Sequence, residues 1–263
     1  MAISLPAPDR RPLARSPLEL VVCQLRFETN LAVSDGHVAL SFHETLGGRS
    51  GRYPKIGQMT SQELNLAVGA GIPVGHARSL AGWRFAAEDD RWLVSLMPDY
   101  VSLETSAYTT WEDDFQPRLD AIIDALAEVL KPALEQRLGL RYVDRIVEPA
   151  VGSAAEWGPY IAPELLGLIR HEALGAAVTA SRQTLLLQLD EEVKCGLTHG
   201  FAPDPSKGGE LSYLLDFDIH RDQARAFDAT HTKEAAVQFN TFALQLFQMA
   251  VTPTFLEYAR RNT

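Results

Sequence analysis

The chain has 263 residues, of which 46% are hydrophobic and 22% are charged, as is typical of a folded globular protein. No apolar segment approaches the about 20 residues that a membrane-spanning helix requires, so we expect no membrane association. The formal net charge of −10 argues against a general nucleic-acid binder, because such proteins need positive charge to displace counterions from phosphates.

Residues 1–17 predict an arm that precedes the folded body. They contain four prolines and three arginines but no apolar run, so the pattern does not fit a signal peptide and we expect a flexible segment. The two cysteines, Cys23 and Cys195, are too few for a disulfide framework, and we expect both to be small buried residues. These features indicate a cytoplasmic protein.

Residues 18–150 predict a first α+β half. The segment 20–28 alternates between apolar and polar residues, which predicts a half-buried strand, and a short helix is expected at 38–46. Four strand-like runs follow, separated by turn-forming residues, and they predict an antiparallel meander at 63–68, 82–87, 92–97 and 100–106.

The strongest helical pattern lies at residues 111–138, where apolar side chains recur at intervals of three and four. Thr110 is expected to cap the start of this helix together with Asp113, and Pro132 to kink or split it. A strand is predicted directly afterwards, at 140–147.

Residues 151–163 are rich in glycine and proline and predict a linker, and residues 164–263 predict a second α+β half. Its elements follow a similar order: a short helix at 163–174, strands at 184–190, 193–201 and 211–220, and a long helix at 233–251. We therefore expect an α+β fold of two similar halves, each an antiparallel β-sheet packed by one long helix.

Four stretches of the chain resemble a widespread but sporadically distributed bacterial family of uncharacterised proteins. They read WLVSLMPDYVSLETSAYTTWE from Trp92, GLRYVDRI from Gly139, LDFDI from Leu215 and FQMAVTPTF from Phe247. The family usually has asparagine where this chain has Asp144. The resemblance implies the segment boundaries given above, and it implies no activity, cofactor or catalytic residue.

The strand at 211–220 carries the most informative polar pattern. Its apolar residues alternate with Asp216, Asp218 and His220, which therefore share one face of the strand. Two carboxylates and an imidazole could hold a divalent cation or act as an acid–base pair, although a strand that faces solvent has the same pattern. The pattern identifies no catalytic residue, no metal site and no cofactor.

Three arginines would extend this ionic face if their strands joined the same sheet. Arg141 and Arg145 share one side of the strand at 140–147, and Arg26 lies on the polar side of the first strand. Arginine binds carboxylate or phosphate through paired hydrogen bonds, so one interpretation is a site for an anionic ligand. The other is a structural lattice of arginine–aspartate pairs between strands.

The chain has no complete catalytic signature and is interpreted as a non-catalytic binding or regulatory protein. We expect it to recognise a partner or ligand through a sheet face or the cleft between the halves. A protein partner or a homodimer is favoured over a small molecule, because edge strands of open sheets favour pairing. The alternative is an anionic-ligand binder or enzyme that uses the ionic face, with or without a divalent metal.

Overall fold

A computed structural model describes residues 3–65, 76–148, 151–204 and 208–261. Its strands are β1 (Leu18–Phe27), β2 (Lys55–Asn65), β3 (His76–Ala86), β4 (Trp92–Met97), β5 (Tyr100–Thr105), β6 (Leu134–Val147), β7 (Ser181–Gln188), β8 (Lys194–Pro203), β9 (Leu211–Arg221) and β10 (Arg225–Ala226). Its α-helices are α1 (Gly36–Thr45), α2 (Gln116–Ala125), α3 (Pro163–Leu166), α4 (Ala229–Ala250) and α5 (Pro253–Arg260). One π-helical turn extends α2 at each end, Trp111–Phe115 and Leu126–Leu130.

The ten strands form one antiparallel sheet. Its order is β2-β3-β4-β5-β1-β6-β9-β8-β7, and β10 pairs with β6. The first strand of the chain lies between β5 and β6, and β6 pairs with β9 over ten residues. Strands from both predicted halves therefore meet at the centre of one continuous sheet, where the sequence predicted one sheet in each half. The similarity of the two halves stays a prediction.

One face of the sheet carries the core. Alternate residues of β1, namely Val21, Cys23, Leu25 and Phe27, are at most 3% exposed, and α1, α2 and α4 add buried apolar side chains to the same cluster. Both cysteines are free and buried, as predicted. The remaining positions of the strands alternate to the opposite face, which no helix of the core cluster covers among the described residues, and this leaves that face to polar side chains.

The helix predicted at 111–138 ends earlier than expected. Helical structure stops at Lys131, whose φ of 49° is left-handed, and Pro132 follows. Proline cannot donate the next helical hydrogen bond, so the chain leaves the helix there. Residues 134–138 instead begin β6, where the Glu28 carboxylate accepts hydrogen bonds from the N–H groups of the two residues after Pro132. The predicted cap is confirmed, since the Thr110 hydroxyl accepts from the N–H of Asp113.

Several other boundaries differ from those predicted, and the helix expected at 163–174 is α3, which ends at Leu166. The strand predicted at 63–68 begins earlier, as β2 (Lys55–Asn65), and residues 66–68 lie outside the described residues. The long helix α4 begins four residues before the predicted start, at Ala229. Its buried side includes Phe239, Ala243 and Phe247, where alanine lets the helix approach the sheet closely. None of the helices in the described ranges combines the length and apolarity needed to cross a bilayer.

The arm lies along α4 and α5. The backbone N–H of Asp9 donates to Oε1 of Gln248, and Nε2 of Gln248 donates to the carbonyl of Asp9. Farther along, the N–H of Arg15 donates to the carbonyl of Ala259 at 2.9 Å. Nothing in the arm's sequence predicts this placement, because the segment has no apolar periodicity. Its flexibility stays a prediction.

Candidate functional site

The open face of the sheet brings together Arg141, Asp216 and Asp218, three of the six predicted site residues. Nε and Nη2 of Arg141 each donate to an oxygen of Asp216 at 2.7 Å. Nη2 of Arg137 donates to both oxygens of Asp218, at 2.9 and 3.0 Å. Gly139 makes the second contact possible, because a Cβ there would lie 2.4 Å from Nη1 of Arg137.

The other three predicted site residues lie on the same face, and each has its own contacts. Nε of Arg145 donates to Glu19 at 2.8 Å, and Nδ1 of His220 lies 3.8 Å from an oxygen of Asp218. Arg26 shares the open face but forms its ion pair with Asp99, at 2.7 Å, because that residue directly precedes β5, the strand that pairs with β1. Arg26 is therefore separate from the aspartates of β9.

The pairing on this face favours the structural lattice over an anion site. Arg137 and Arg141 already donate to aspartates across the β6–β9 pair, so an anionic ligand would have to displace those carboxylates. No three His, Cys, Asp or Glu side chains in the described ranges are grouped so that they could hold a metal ion. The alternative with a divalent metal therefore lacks a donor set on the described part of this face.

The lattice interpretation predicts a small effect for Arg141→Ala. The Arg141 side chain is 48% exposed, and exposed ion pairs contribute about 0–1 kcal/mol, so we expect a loss of unfolding free energy within that range. Urea denaturation measures the change, with Lys55→Ala, which removes another exposed pair, as the matched control. Stabilisation of the wild type by inorganic phosphate that Arg141→Ala abolishes would contradict the lattice and support an anion site.

A second polar arrangement lies on the core side of β6. Tyr142 and Asp144 alternate with the arginines of this strand, and so they face the helices. They line a cavity of ≈ 490 Å³. Its other walls are residues 9–13 of the arm, residues 108–112 before α2, and the side of α4 that includes Asn240 and Phe247.

Asp144 is the unusual residue of this cavity. Its side chain is among the buried charged groups, at 5% exposure for the whole residue. Within the described residues its carboxylate forms no hydrogen bond and no ion pair. Burial raises the pKa of Asp144 to about 8, and the negative charges of Asp216 and Glu19 add to the effect.

The other charged groups of the cavity wall pair with one another. Arg10 binds Glu112, with Nη1 and Oε1 3.1 Å apart, and Asp9 binds Arg11 and Arg260. Among the uncharged groups, the Tyr142 hydroxyl donates to Oδ1 of Asn240 at 2.8 Å. Among the described residues of the wall, Asp144 is thus the carboxylate without a cation.

The site residues predicted from the sequence lie on the opposite side of β6 from this cavity. The signal was present, because Asp144 interrupts a series of alternate apolar residues that are all buried: Leu138, Leu140, Tyr142 and Ile146. A single acid in such a series is a buried charge that needs a partner. The walls contributed by the arm and α4 have no comparable signal in the sequence.

The chain matches no protein-family model and no curated protein. The resemblance to the bacterial family stays a prediction, and the function is argued from the geometry of the cavity alone.

Proposed function

We propose that the protein is a non-catalytic binding protein that takes a small organic molecule into the cleft between its two predicted halves. The cleft is the ≈ 490 Å³ cavity, with walls from the arm, from residues 108–112, from Tyr142 and Asp144 of β6, and from α4. Ligand pockets usually measure about 300–1,000 Å³ and combine apolar walls with a few polar groups. The observation that carries the proposal is the buried carboxylate of Asp144, which faces this cavity and has no partner in the part of the chain that the structure describes.

The chemistry of the wall supports binding rather than catalysis. The described lining contains no cysteine, histidine or lysine, and the bases it does contain are carboxylates. Ser16 is the serine of the wall, and its hydroxyl accepts a hydrogen bond from the N–H of Leu18 at 3.3 Å. Among the described residues, no side chain of the wall accepts a hydrogen bond from this hydroxyl.

Calorimetric titration with phenethylamine, phenethyl alcohol and 3-phenylpropionate tests the proposal. These three compounds share the apolar phenethyl group and differ in their polar group. We expect at least one of them to bind the wild type with one molecule per chain. Leu244→Trp fills the cavity from α4 and should weaken that binding by about tenfold or more. Leu186→Trp, on the exposed strand β7, is the matched control and should leave the Kd unchanged.

Two results would overturn the proposal. One is the absence of binding by all three compounds at millimolar concentration. The other is equal binding by wild type and Leu244→Trp, which would place the bound compound elsewhere on the protein. Near-ultraviolet circular dichroism shows whether Leu244→Trp retains the native packing.

The remaining expectations stay proposals with weaker support. β7 lies at one end of the strand order, and Leu185 and Leu186 on it are 42% and 70% exposed. Exposed edge strands offer unpaired backbone groups to a second copy, which supports the predicted homodimer. The mass in solution tests it, because a homodimer doubles the mass of the chain. The cytoplasmic location rests on the sequence pattern alone.

A further inference from the structure

We infer that the molecule bound in the cleft is an organic ammonium ion, whose charged nitrogen pairs with the carboxylate of Asp144. This inference rests on the proposed function, because it names the ligand class for the same cavity. The balance of charge, the aromatic walls and the linkage between binding and protonation support it.

The balance of charge around the cavity favours a cation. Arg10 and Arg11 neutralise Glu112 and Asp9, so these four wall residues contribute no net charge, and Arg260, which also binds Asp9, does not line the cavity. Ionised Asp144 then gives the wall one uncompensated negative charge. A bound anion would meet this charge with repulsion, and an uncharged molecule would supply no positive charge, so that Asp144 would keep its proton up to about pH 8. An ammonium ion supplies the missing partner.

The aromatic walls suit the same ligand. The rings of Tyr108 and Tyr142 meet edge to face, with centroids 5.9 Å apart, and Trp111 and Phe247 complete the aromatic lining. Aromatic rings attract organic cations through their negative faces and bury apolar groups at the same time. The cavity therefore fits an amine with an apolar body rather than an inorganic cation.

Several ionisable groups face the cavity or act on Asp144. They are Asp9, Arg10, Arg11, Glu19, Tyr108, Glu112, Tyr142 and Asp216. Burial raises the pKa of Tyr108 to about 12 and that of Tyr142 well above its usual value, so both stay neutral in the physiological range. The hydrogen bonds from Arg11 hold the pKa of Asp9 far below its usual value.

Among these groups around the cavity, Asp144 is therefore the one whose pKa is shifted to a value near neutrality. Below pH 8 the empty cavity holds a carboxylic acid. An ammonium ion binds the carboxylate, so binding at low pH must release the Asp144 proton to solvent. The affinity for the ammonium ion consequently rises as the pH rises toward 8, by at most about tenfold per pH unit.

Calorimetric titration of the full chain with phenethylamine, at about pH 6 and about pH 8.5, tests the inference. For the wild type we expect at least about tenfold tighter binding at the higher pH, and proton release seen as a buffer-dependent enthalpy at the lower pH. Asp144→Asn should weaken amine binding by about tenfold or more at the higher pH and remove its pH dependence. Phenethyl alcohol should bind wild type and variant with similar affinity at both pH values.

The matched control is Glu164→Gln, which removes an exposed carboxylate on α3, outside the cavity wall. It should leave the pH dependence of amine binding intact. The inference falls if phenethyl alcohol or 3-phenylpropionate binds as tightly as phenethylamine, or if Asp144→Asn binds the amine as the wild type does. In that case alcohol binding that Leu244→Trp blocks would still support the proposed function. If no compound binds, both proposals fall together.

Discussion

Glu135→Ala should lower the free energy of unfolding by about 3–5 kcal/mol, because it leaves a buried arginine without its partner. Glu135 is 1% exposed and Arg221 is 7% exposed. Nε and Nη2 of Arg221 donate to the two carboxylate oxygens of Glu135 at 2.6 and 3.0 Å. The Thr232 hydroxyl, in the first turns of α4, donates to the same carboxylate at 2.8 Å.

This cluster joins β6, β9 and α4 at one point, and so its loss weakens the contact between the sheet and the helix that walls the cavity. Urea denaturation near neutral pH measures the loss. Glu192→Ala is the matched control, because it removes an exposed carboxylate that pairs with Arg225 and should cost at most about 1 kcal/mol. A loss for Glu135→Ala no larger than that of the control would show that Glu135 and Arg221 do not form a buried pair.

Asp144→Asn should stabilise the protein at high pH by several kcal/mol and leave its stability nearly unchanged at about pH 4. In the unfolded chain the carboxyl ionises near its ordinary pKa of 3.8, whereas in the folded protein it holds its proton up to about pH 8. Between these values the folded state binds more protons than the unfolded state. The contribution of Asp144 to stability therefore falls as the pH rises, by up to about 1.4 kcal/mol per pH unit, and levels off above pH 8.

Urea denaturation measures the free energy of unfolding of wild type and Asp144→Asn across this pH range. The prediction concerns the difference between the two proteins at each pH. Other titrating groups act on both proteins equally and cancel in the difference. Glu164→Gln, an exposed carboxyl on α3, is the control and should follow the wild-type curve. A difference between wild type and Asp144→Asn that does not change with pH would mean that Asp144 titrates in the same way in the folded and unfolded states.

The strands were predictable where burial alternates along them. In β9 the apolar residues Leu215 and Phe217 alternate with Asp216 and Asp218, and this pattern predicts both the strand and its two faces. The same logic placed Arg141 on the polar face of β6. It could not show that Arg26 pairs with Asp99, because that contact depends on which strands are neighbours in the sheet.

The helix boundary at Pro132 shows a limit of periodicity. Leu134 and Leu138 continue the helical spacing of the preceding stripe, yet both belong to β6. Leu138 is buried on the core face of that strand, and so one residue fits a helical and a strand pattern equally well. The left-handed Lys131 before the proline decides between them, and no sequence pattern predicts that conformation.

The cavity could not be predicted from the sequence, for a different reason. Its walls come from the arm, from the segment before α2 and from α4, and Asp9 of the arm lies 239 positions before Gln248 of α4. Periodicity reports which side of an element is buried, and it carries no information on gaps between packed elements. Asp144 alone was visible, as an acid among buried alternate residues.

The protonation of Asp144 can be followed by ¹³C NMR of its side-chain carboxyl carbon during a pH titration. We predict a pKa near 8 in the free protein and a lower value once phenethylamine saturates the cleft, because the ammonium ion stabilises the carboxylate. A carboxyl that titrates near 3.8 in the free protein, or one whose pKa does not change with the amine bound, would contradict an unpaired buried acid that binds a cation.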